Sequence, residues 1–311
     1  MINKDTLRLV YRISRDLILV ACAAAVYIGF KVAFNVFEFR NRTGFYCSDP
    51  DLWYPYKASS VPTKVLLWYI CTLIPIGVFL VIEAKWSSGG IVRFFNFNFP
   101  IWIPATYNRM VQYVLGFYLQ MSFMLLPKFF DAPHFLRPHF MAVCQPLIGP
   151  QNVSCAEITN PHQFITDYEC RTDAGFTISQ IQNVYFTFPS GHTSCSFYTA
   201  VYLVVYLQNR VRAKSFRELK LILQFLLLIM ATSVGITRLQ DHHHHGVDVI
   251  FGAILGSGIA IFANLSLQKL FPTVRDVTGF TNHGSDDQNH NNFEGIDIQR
   301  QQNPQQQQRS K

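Results

Sequence analysis

Three clusters of polar and ionisable side chains have the composition of a site that holds an anion. Arg137 is followed by Pro138, the tetrapeptide 189–192 (Pro-Ser-Gly-His) opens an apolar run, and Arg238 precedes a run of four histidines at 242–245. A guanidinium group presents a planar fork of donors that suits two phosphate oxygens at once. The three clusters together therefore predict phosphate binding.

The second cluster indicates the start of a helix. Ser190 is a favoured N-cap residue, and Gly191 lets backbone amides approach a ligand closely. The free N–H groups at such a helix start form an anion site. A plain capped helix would show the same serine and glycine, but His192 directly after them favours a functional interpretation.

His244 and Asp248 form the candidate reactive pair, because residues four apart share one face of a helix. A carboxylate bonded to one imidazole nitrogen fixes the tautomer and raises the basicity of the other nitrogen, which then serves as nucleophile or base. A histidine run is also typical of metal sites. Consecutive histidines on a helix point in different directions, and the sequence has no C-x-x-C pair, so no metal is expected.

These clusters lie at the ends of apolar stretches that predict membrane-spanning helices. Half of the 311 residues are hydrophobic and 14% are charged, against about 25% in an ordinary soluble domain. A soluble protein with buried helices would have too little polar sequence to cover such a core. The stretches, each close to the ~20 residues that cross a bilayer, are 17–37, 65–82, 110–127, 191–207, 219–236 and 247–265.

The predicted fold class is all-α, an integral membrane six-helix bundle with its active site at the extracellular or lumenal ends of helices 3 to 6. The basic loop 210–220 favours the cytosol, which places both termini there and all three clusters outside. The domains are then a cytosolic segment 1–16, a transmembrane domain 17–271, and a cytosolic tail 272–311 that is rich in Gln and Asn and expected to be disordered.

The predicted outer loops carry further marks of an oxidising compartment. Asn41 and Asn152 begin glycosylation sequons, which predict a glycoprotein. Four cysteines of these loops allow two disulfides with the pairing left open, and they are Cys47, Cys144, Cys155 and Cys170. The net charge of +7 is scattered between apolar runs, so membrane topology explains it and no nucleic-acid partner is expected.

In combination, the motifs resemble the three-part signature of the type 2 phosphatidic acid phosphatase superfamily, and within it the animal lipid phosphate phosphatases. The third part reads as Arg238, five residues, His244, three residues and Asp248, with Thr237 where the family has serine. Strings in the first outer loop, Gly-Phe-Tyr-Cys at 44–47 and Tyr-Pro-Tyr-Lys at 54–57, agree with it. The resemblance spans roughly residues 10–270.

The resemblance implies a hydrolase, a phosphatidate phosphatase that needs neither metal nor cofactor. His244 would attack phosphorus and form a phosphohistidine, Asp248 would orient His244, and His192 would protonate the leaving alkoxide and then help to activate water. Phosphate oxygens would be held by Lys128, Arg137, Ser190, Gly191 and Arg238.

The resemblance also implies the substrates and the location. The substrates would be phosphatidate, lysophosphatidate, sphingosine 1-phosphate and ceramide 1-phosphate in the outer leaflet, with a role in phospholipid metabolism and lipid signalling. The protein would be a multi-pass protein of the plasma membrane, or alternatively of an internal membrane, and would associate with itself.

One departure from the family keeps alternatives open. The family's first motif places a lysine at position 130, where this chain has Phe130, and Lys128 lies two residues earlier. Two residues rotate a helical position by about 200°, so Lys128 reaches the site only if a loop at Pro133 returns it. The alternatives are a silent lipid-binding relative and a headgroup phosphotransferase. A channel is disfavoured, because the polar residues gather at one interface.

Overall fold

The computed structural model describes residues 4–37, 44–87, 91–94, 97–129 and 136–267. Within them the predicted all-α fold is confirmed. Six long helices form the frame, and they are α1 (Lys4–Phe37), α2 (Thr63–Trp86), α3 (Trp102–Phe129), α4 (Gly191–Arg210), α5 (Arg217–Gln240) and α6 (Gly246–Phe262). A π-helical stretch, Leu66–Leu73, lies inside α2, and another, Ala263–Leu267, continues α6. The predicted tail 272–311 lies outside the described residues.

Five of the long helices, all except α4, are long and apolar enough to cross a membrane, as judged over the described part of the chain. Helix α4 differs because it packs against α3, α5 and α6, and serines, threonines and tyrosines are among its buried residues. Its neighbours are largely protein rather than lipid, so polar side chains that bond within the bundle are tolerated there. The bundle thus contains all six predicted helices.

Helix α1 begins at Lys4, whereas the sequence predicted a membrane helix from residue 17. No glycine or proline interrupts residues 4–16, so the helical backbone continues through them. Arg12 of this added part is buried and donates to the Asn108 side-chain oxygen of α3 at 2.9 Å. The predicted segment 1–16 is therefore helical from Lys4 and packs on the bundle.

Helices α4 and α6 approach each other closely where the sequence has Gly252 and Gly256. A Cβ at Gly256 would overlap the Ser194 carbonyl oxygen, and one at Gly252 would lie 2.6 Å from the Ser190 carbonyl oxygen. Glycines four apart are typical of membrane helices whose backbones touch. The contact brings the first turns of α4 and α6 together, and Ser190 N donates to Asp248 O at 3.0 Å. We refer to this end of the bundle as the site end.

Residues 44–62 and 136–187 form a small layer that we call the cap. Strand β1 (Phe45–Tyr46) belongs to it, whereas β2 (Ile91–Phe94) and β3 (Phe97–Pro100) form a separate antiparallel hairpin between α2 and α3. The remaining cap strands are β4 (Pro146–Ile148), β5 (Phe164–Ile165) and β6 (Tyr168–Cys170). Its short helices are the 3-10 turn Pro50–Leu52 and the α-helices Phe140–Cys144 and Ile178–Asn183. Antiparallel pairs join β1 to β5 and β4 to β6.

Two disulfides and an apolar core hold the cap together. The disulfides are Cys47–Cys155 and Cys144–Cys170, which confirms two bridges and supplies the pairing that the sequence left open. Phe45, Phe140 and Val184 are among the buried residues of the core. Of the two sequons, Asn152 is exposed in the cap and Asn41 lies outside the described residues.

Candidate active site

Arg238, near the end of α5, is a predicted phosphate ligand that is almost completely buried, with 2% of its side chain exposed. Its Nη1 donates to Ser59 Oγ at 2.7 Å, and its Nη2 donates to Asp241 Oδ2 at 3.2 Å. Its Nε has no hydrogen-bond partner among the described residues. Nη2 also donates to Thr237 Oγ1 at 3.3 Å, so three groups fix the guanidinium in place while one buried donor stays available.

Asp241, which the sequence analysis did not single out, anchors Arg238 to the first loop of the cap. Its carboxylate accepts from the Ser60 amide at 2.6 Å and hydroxyl at 2.7 Å, and lies 3.0 Å from Lys57 Nζ. Burial raises the pKa of Asp241, but the hydrogen bonds from Ser60 and Lys57 and the charge of Arg238 outweigh it and lower the pKa to about 2. The sequence feature that could have identified Asp241 is its position, three residues after the motif arginine Arg238.

The turn after α5 sets the direction of the histidine run. His242 has a left-handed backbone with φ of 55°. The His242 amide donates to Leu239 O, and the His243 amide donates to Arg238 O, each at 3.0 Å. This is the Schellman arrangement, in which the amide of the residue after the left-handed one donates to the carbonyl oxygen five positions earlier. His243 is thereby placed next to Arg238.

Arg137 is carried by the cap rather than by a membrane helix. Its backbone amide donates to Val184 O at 2.9 Å, so the loop that leads into α4 positions it. Its Nη2 donates to Phe186 O at 3.4 Å, and its Nη1 donates to His243 Nδ1 at 3.3 Å. Its Nε is buried and has no partner in the described part of the chain.

The charge of Arg137 is retained at neutral pH in spite of its burial. Burial lowers the pKa of Arg137 to about 10, while the negative charge of Asp248 raises it and the positive charge of Arg238 lowers it further. These influences show that Arg137 feels the charges of both Asp248 and Arg238. Arg137 also contacts His243, whose amide bonds to Arg238, so the two predicted phosphate ligands are neighbours in the fold.

His244 and Asp248 are joined through Thr187, a buried residue that the sequence analysis missed. The Thr187 hydroxyl donates to Asp248 Oδ2 and lies 3.2 Å from His244 Nδ1. Because its proton points to the carboxylate, the hydroxyl oxygen accepts from Nδ1–H, which leaves Nε2 as the unprotonated nitrogen. His244 Nδ1 lies 3.6 Å from Asp248 Oδ2, too far for a direct hydrogen bond. A threonine three residues before Ser190 carries no sequence signal.

The start of α6 holds Asp248 in place. The His245 amide donates to Asp248 Oδ2 at 2.8 Å, which caps the helix, and Asp248 is fully buried. A cavity of about 480 Å³ adjoins these two residues and is also lined by Leu52, Val247 and Asp49. The cavity lies between the cap and the first turn of α6.

The predicted helix start at Ser190 is confirmed, since Ser190 is the N-cap of α4. Ser190 is buried, and its hydroxyl accepts from Thr193 Oγ1 at 3.0 Å instead of capping the backbone. The first amides of a helix have no acceptor within it, so those of the first turn of α4 can receive an anion. Gly191 is tightly packed, because a Cβ there would lie 2.8 Å from Met124 Sδ. His192, the second residue of α4, is half-buried.

Lys128 is placed only in part. Its backbone lies in the last turn of α3, but its side chain and Phe130 lie outside the described residues. Its predicted contact with phosphate therefore stays a prediction. Over the same described ranges, no group of three or more His, Cys, Asp or Glu side chains is arranged to hold a metal ion.

Comparison with known proteins gives consistent matches. The family model described as PAP2 superfamily matches residues 109–272. A Drosophila melanogaster protein named "Putative phosphatidate phosphatase" is 30% identical over 276 residues, which cover 85% of this chain and 70% of that protein. "Phospholipid phosphatase 1" of Mus musculus is 28% identical over 230 residues, with coverage of 74% and 76%. "Phospholipid phosphatase 2" of Bos taurus is 30% identical over 225 residues, with coverage of 70% and 71%. No solved structure matches the chain.

Proposed function

We infer that this chain, which belongs to the PAP2 superfamily, hydrolyses phosphate monoesters of lipids at the site around His244, Arg137 and Arg238. The family match and the five candidate spans make it a multi-pass membrane lipid phosphatase. The residue roles, the individual substrates and the orientation in the membrane are our proposal. Two buried guanidinium nitrogens that have no partner among the described residues, held near a histidine and a carboxylate, carry it.

The first half-reaction transfers the phosphoryl group to the protein. His244 Nε2 attacks phosphorus, a P–N bond forms, and the P–O bond to the lipid alcohol breaks. His192 gives its proton to the departing oxygen, so a neutral alcohol leaves. The His244 ring becomes positive, and the Asp248 carboxylate stabilises that charge through the Thr187 hydroxyl, which accepts from Nδ1–H and donates to Asp248.

The second half-reaction regenerates the enzyme. A water molecule attacks the phosphorus of phosphohistidine, and His192, now neutral, takes its proton. The P–N bond breaks, its electron pair returns to His244 Nε2, and inorganic phosphate leaves. His192 is then protonated again for the next substrate, and no external reductant or oxidant is involved.

Stabilisation of the transition state falls to fixed donors. The transferring phosphoryl group spreads negative charge over three equatorial oxygens, so positioning and charge neutralisation dominate catalysis. The Nε groups of Arg137 and Arg238 and the first amides of α4, from Gly191 onwards, supply these donors. Lys128 is a further candidate. Because these groups already supply positive charge, the proposed reaction is independent of metal.

A lipid fits the position of the site at the ends of membrane helices. The phosphate enters among the donors while the acyl chains stay in the bilayer, and the cavity beside Asp248 receives the alcohol portion. The proposed substrates are phosphatidate, lysophosphatidate, sphingosine 1-phosphate and ceramide 1-phosphate. With both termini cytosolic, the site faces the outer or lumenal leaflet, and the plasma membrane is the proposed location.

The test is release of phosphate from lysophosphatidate in detergent micelles with excess chelator. We expect the wild type to turn over and His244→Ala to lose at least about 10³-fold in kcat. His162→Ala, which changes an exposed histidine of the cap, is the control and should match the wild type. Wild-type activity in His244→Ala, or a requirement for added metal, would overturn the proposal. Phosphate recovered mainly on an added acceptor alcohol would identify a phosphotransferase instead.

A further inference from the structure

We propose that His243 is an additional phosphate ligand, which donates through Nε2 to the same phosphate group that Arg137 and Arg238 bind. The proposal rests on the proposed function and extends it. None of the predicted roles uses His243, although only 8% of this residue is exposed. The assignment depends on the tautomer of His243, on its position and on the absence of an acceptor for Nε2 in the described part of the chain.

The tautomer follows from the contact with Arg137. Arg137 Nη1 lies 3.3 Å from His243 Nδ1, and a guanidinium group can only donate. Nδ1 must therefore accept, so the single ring proton of a neutral imidazole resides on Nε2. Burial, followed by the positive charges of Arg137 and Arg238, lowers the pKa of His243 to about 3, so the ring is neutral at physiological pH.

The Nε2–H group of His243 is a buried donor with no acceptor among the described residues. Buried polar groups are nearly always hydrogen-bonded, so one that lacks a protein partner suggests a ligand. In the described ranges the same holds for Arg137 Nε and Arg238 Nε. Arg137 touches the His243 ring, and the Schellman turn places His243 over Arg238. The three nitrogens therefore belong to neighbouring residues, and we call Arg137, Arg238 and His243 the wall of the site.

The neighbours of the His243 ring restrict its orientation. His139 packs edge-on against it with ring centroids 5.0 Å apart, and Tyr56 does so at 6.2 Å. No hydrogen bond of the described residues involves His243 apart from the contact with Arg137 and the backbone bond to Arg238. A neutral donor adds a hydrogen bond to a phosphate oxygen without adding a third positive charge.

The experiment measures how tightly inorganic phosphate, the reaction product, binds the full-length protein in detergent. In His243→Phe we expect the inhibition constant of phosphate to rise about 10-fold or more, because one hydrogen bond to a charged group is lost. kcat/KM for lysophosphatidate should fall by a similar or larger factor. In His243→Gln the side-chain amide can donate from nearly the same place, so it should recover most of both losses.

His242→Asn is the matched control. It changes the neighbouring histidine, which stacks on Tyr54 outside the wall, and asparagine tolerates the left-handed backbone. We expect both constants to stay within about 2-fold of the wild type, since no hydrogen bond to phosphate is removed. Unchanged phosphate inhibition in a folded His243→Phe protein would overturn the proposal, as would a failure of His243→Gln to recover binding at a wild-type melting temperature.

A second readout separates this proposal from the proposed function. Phosphate binding also raises the melting temperature of the protein, and this shift requires no turnover. If the wild type hydrolyses no lipid phosphate but gains a phosphate-dependent shift that His243→Phe loses, the ligand assignment stands and the proposed function fails. If the wild type is active and both proteins shift equally, the ligand assignment fails alone.

Discussion

Two clusters of buried polar side chains lie at opposite ends of the bundle, and they differ in how completely their hydrogen bonds are satisfied. Far from the site end, Glu83 of α2 accepts from Tyr206 at 2.9 Å, from Ser87 at 2.6 Å and from Arg210 at 2.8 Å. None of these four side chains has an unpartnered buried atom among the described residues. This closed cluster clamps the ends of α2 and α4 together.

The cluster at the site end is open. Arg137, Arg238 and His243 each keep one buried nitrogen without a partner in the described part of the chain, and Asp248 keeps an unpartnered oxygen. Buried polar groups without partners cost free energy, whereas complete networks make a fold rigid. The difference teaches that burial and charge alone do not identify a functional site. Incomplete satisfaction distinguishes the open cluster from the closed one.

The largest expected effect is loss of activity in Arg238→Ala. Removing one fixed donor to a transition-state oxygen costs about 10²–10³-fold in kcat, and the lost charge should bring kcat/KM down by about 10³-fold. The melting temperature should also fall, because Asp241 loses a buried partner although it keeps Ser60 and Lys57, so activity is expressed per folded molecule. Phosphate release and thermal unfolding would be measured side by side. Arg171→Ala, in an exposed part of the cap, is the control. An Arg238→Ala protein with wild-type activity would show that Arg238 does not bind the transferring phosphate.

The next effect concerns the relay through Thr187. Thr187→Val keeps the shape of the side chain but removes the hydroxyl between His244 and Asp248. We expect kcat to fall about 10²-fold with KM nearly unchanged, because the substrate is bound as before but the charge that develops on the His244 ring is less well stabilised. Thr72→Val, on α2 away from the site, should leave both constants unchanged. A rise in KM at constant kcat would instead indicate a role in substrate binding.

The closed cluster should give the opposite pattern. Glu83→Gln removes the negative charge that pairs with Arg210. We expect the free energy of unfolding to fall by about 2 kcal/mol. This is less than for a fully buried pair, because 29% of the Arg210 side chain is exposed. Thermal unfolding in detergent would show the loss, while activity per folded molecule stays within about 2-fold. Glu218→Gln, on the exposed start of α5, is the control. A Glu83→Gln protein that is stable but inactive would abolish the distinction between the clusters.

The smallest effect is a pH dependence of stability. Burial, and then the charge of Arg137, lowers the pKa of His243 to about 3; for His139, burial again acts first and the pKa falls to about 4, both from 6.5. As the pH drops below 6.5, these histidines bind protons in the unfolded chain but stay neutral in the folded chain, so the free energy of unfolding falls. Above pH 6.5 they make the stability no more dependent on pH.

Melting temperatures of the wild type between pH 7.5 and 5 would measure this slope. Each histidine contributes at most about 1.4 kcal/mol per pH unit. His243→Gln should therefore lose less stability than the wild type over this range, whereas His162→Gln, which changes an exposed histidine, should lose as much. Parallel curves for the wild type and His243→Gln would show that His243 is not a buried neutral group.

The sequence was sufficient for residues whose local pattern carries the chemistry. The helix start at Ser190 was predicted from the local sequence, because capping is a local property. Asp241 and Thr187 were missed because their roles depend on contacts across 181 and 61 residues of chain. The disulfide pairing was open for the same reason. Helix α4 is less apolar than a lipid-facing span because other helices surround it, and the sequence alone does not show those neighbours.

The ties between Ser60 and Asp241 and between Ser190 and Asp248 have a consequence for biogenesis. The nascent chain reaches the membrane from its N-terminus, so Arg137 of the cap and the first turn of α4 are made before His244, the proposed nucleophile. His244 acquires its relay only when α6 inserts and its first turn docks on α4. In a chain arrested before that step, the His244 imidazole is not yet positioned beside the proposed phosphate-binding groups. Turnover can thus serve in cells as a reporter of completed insertion.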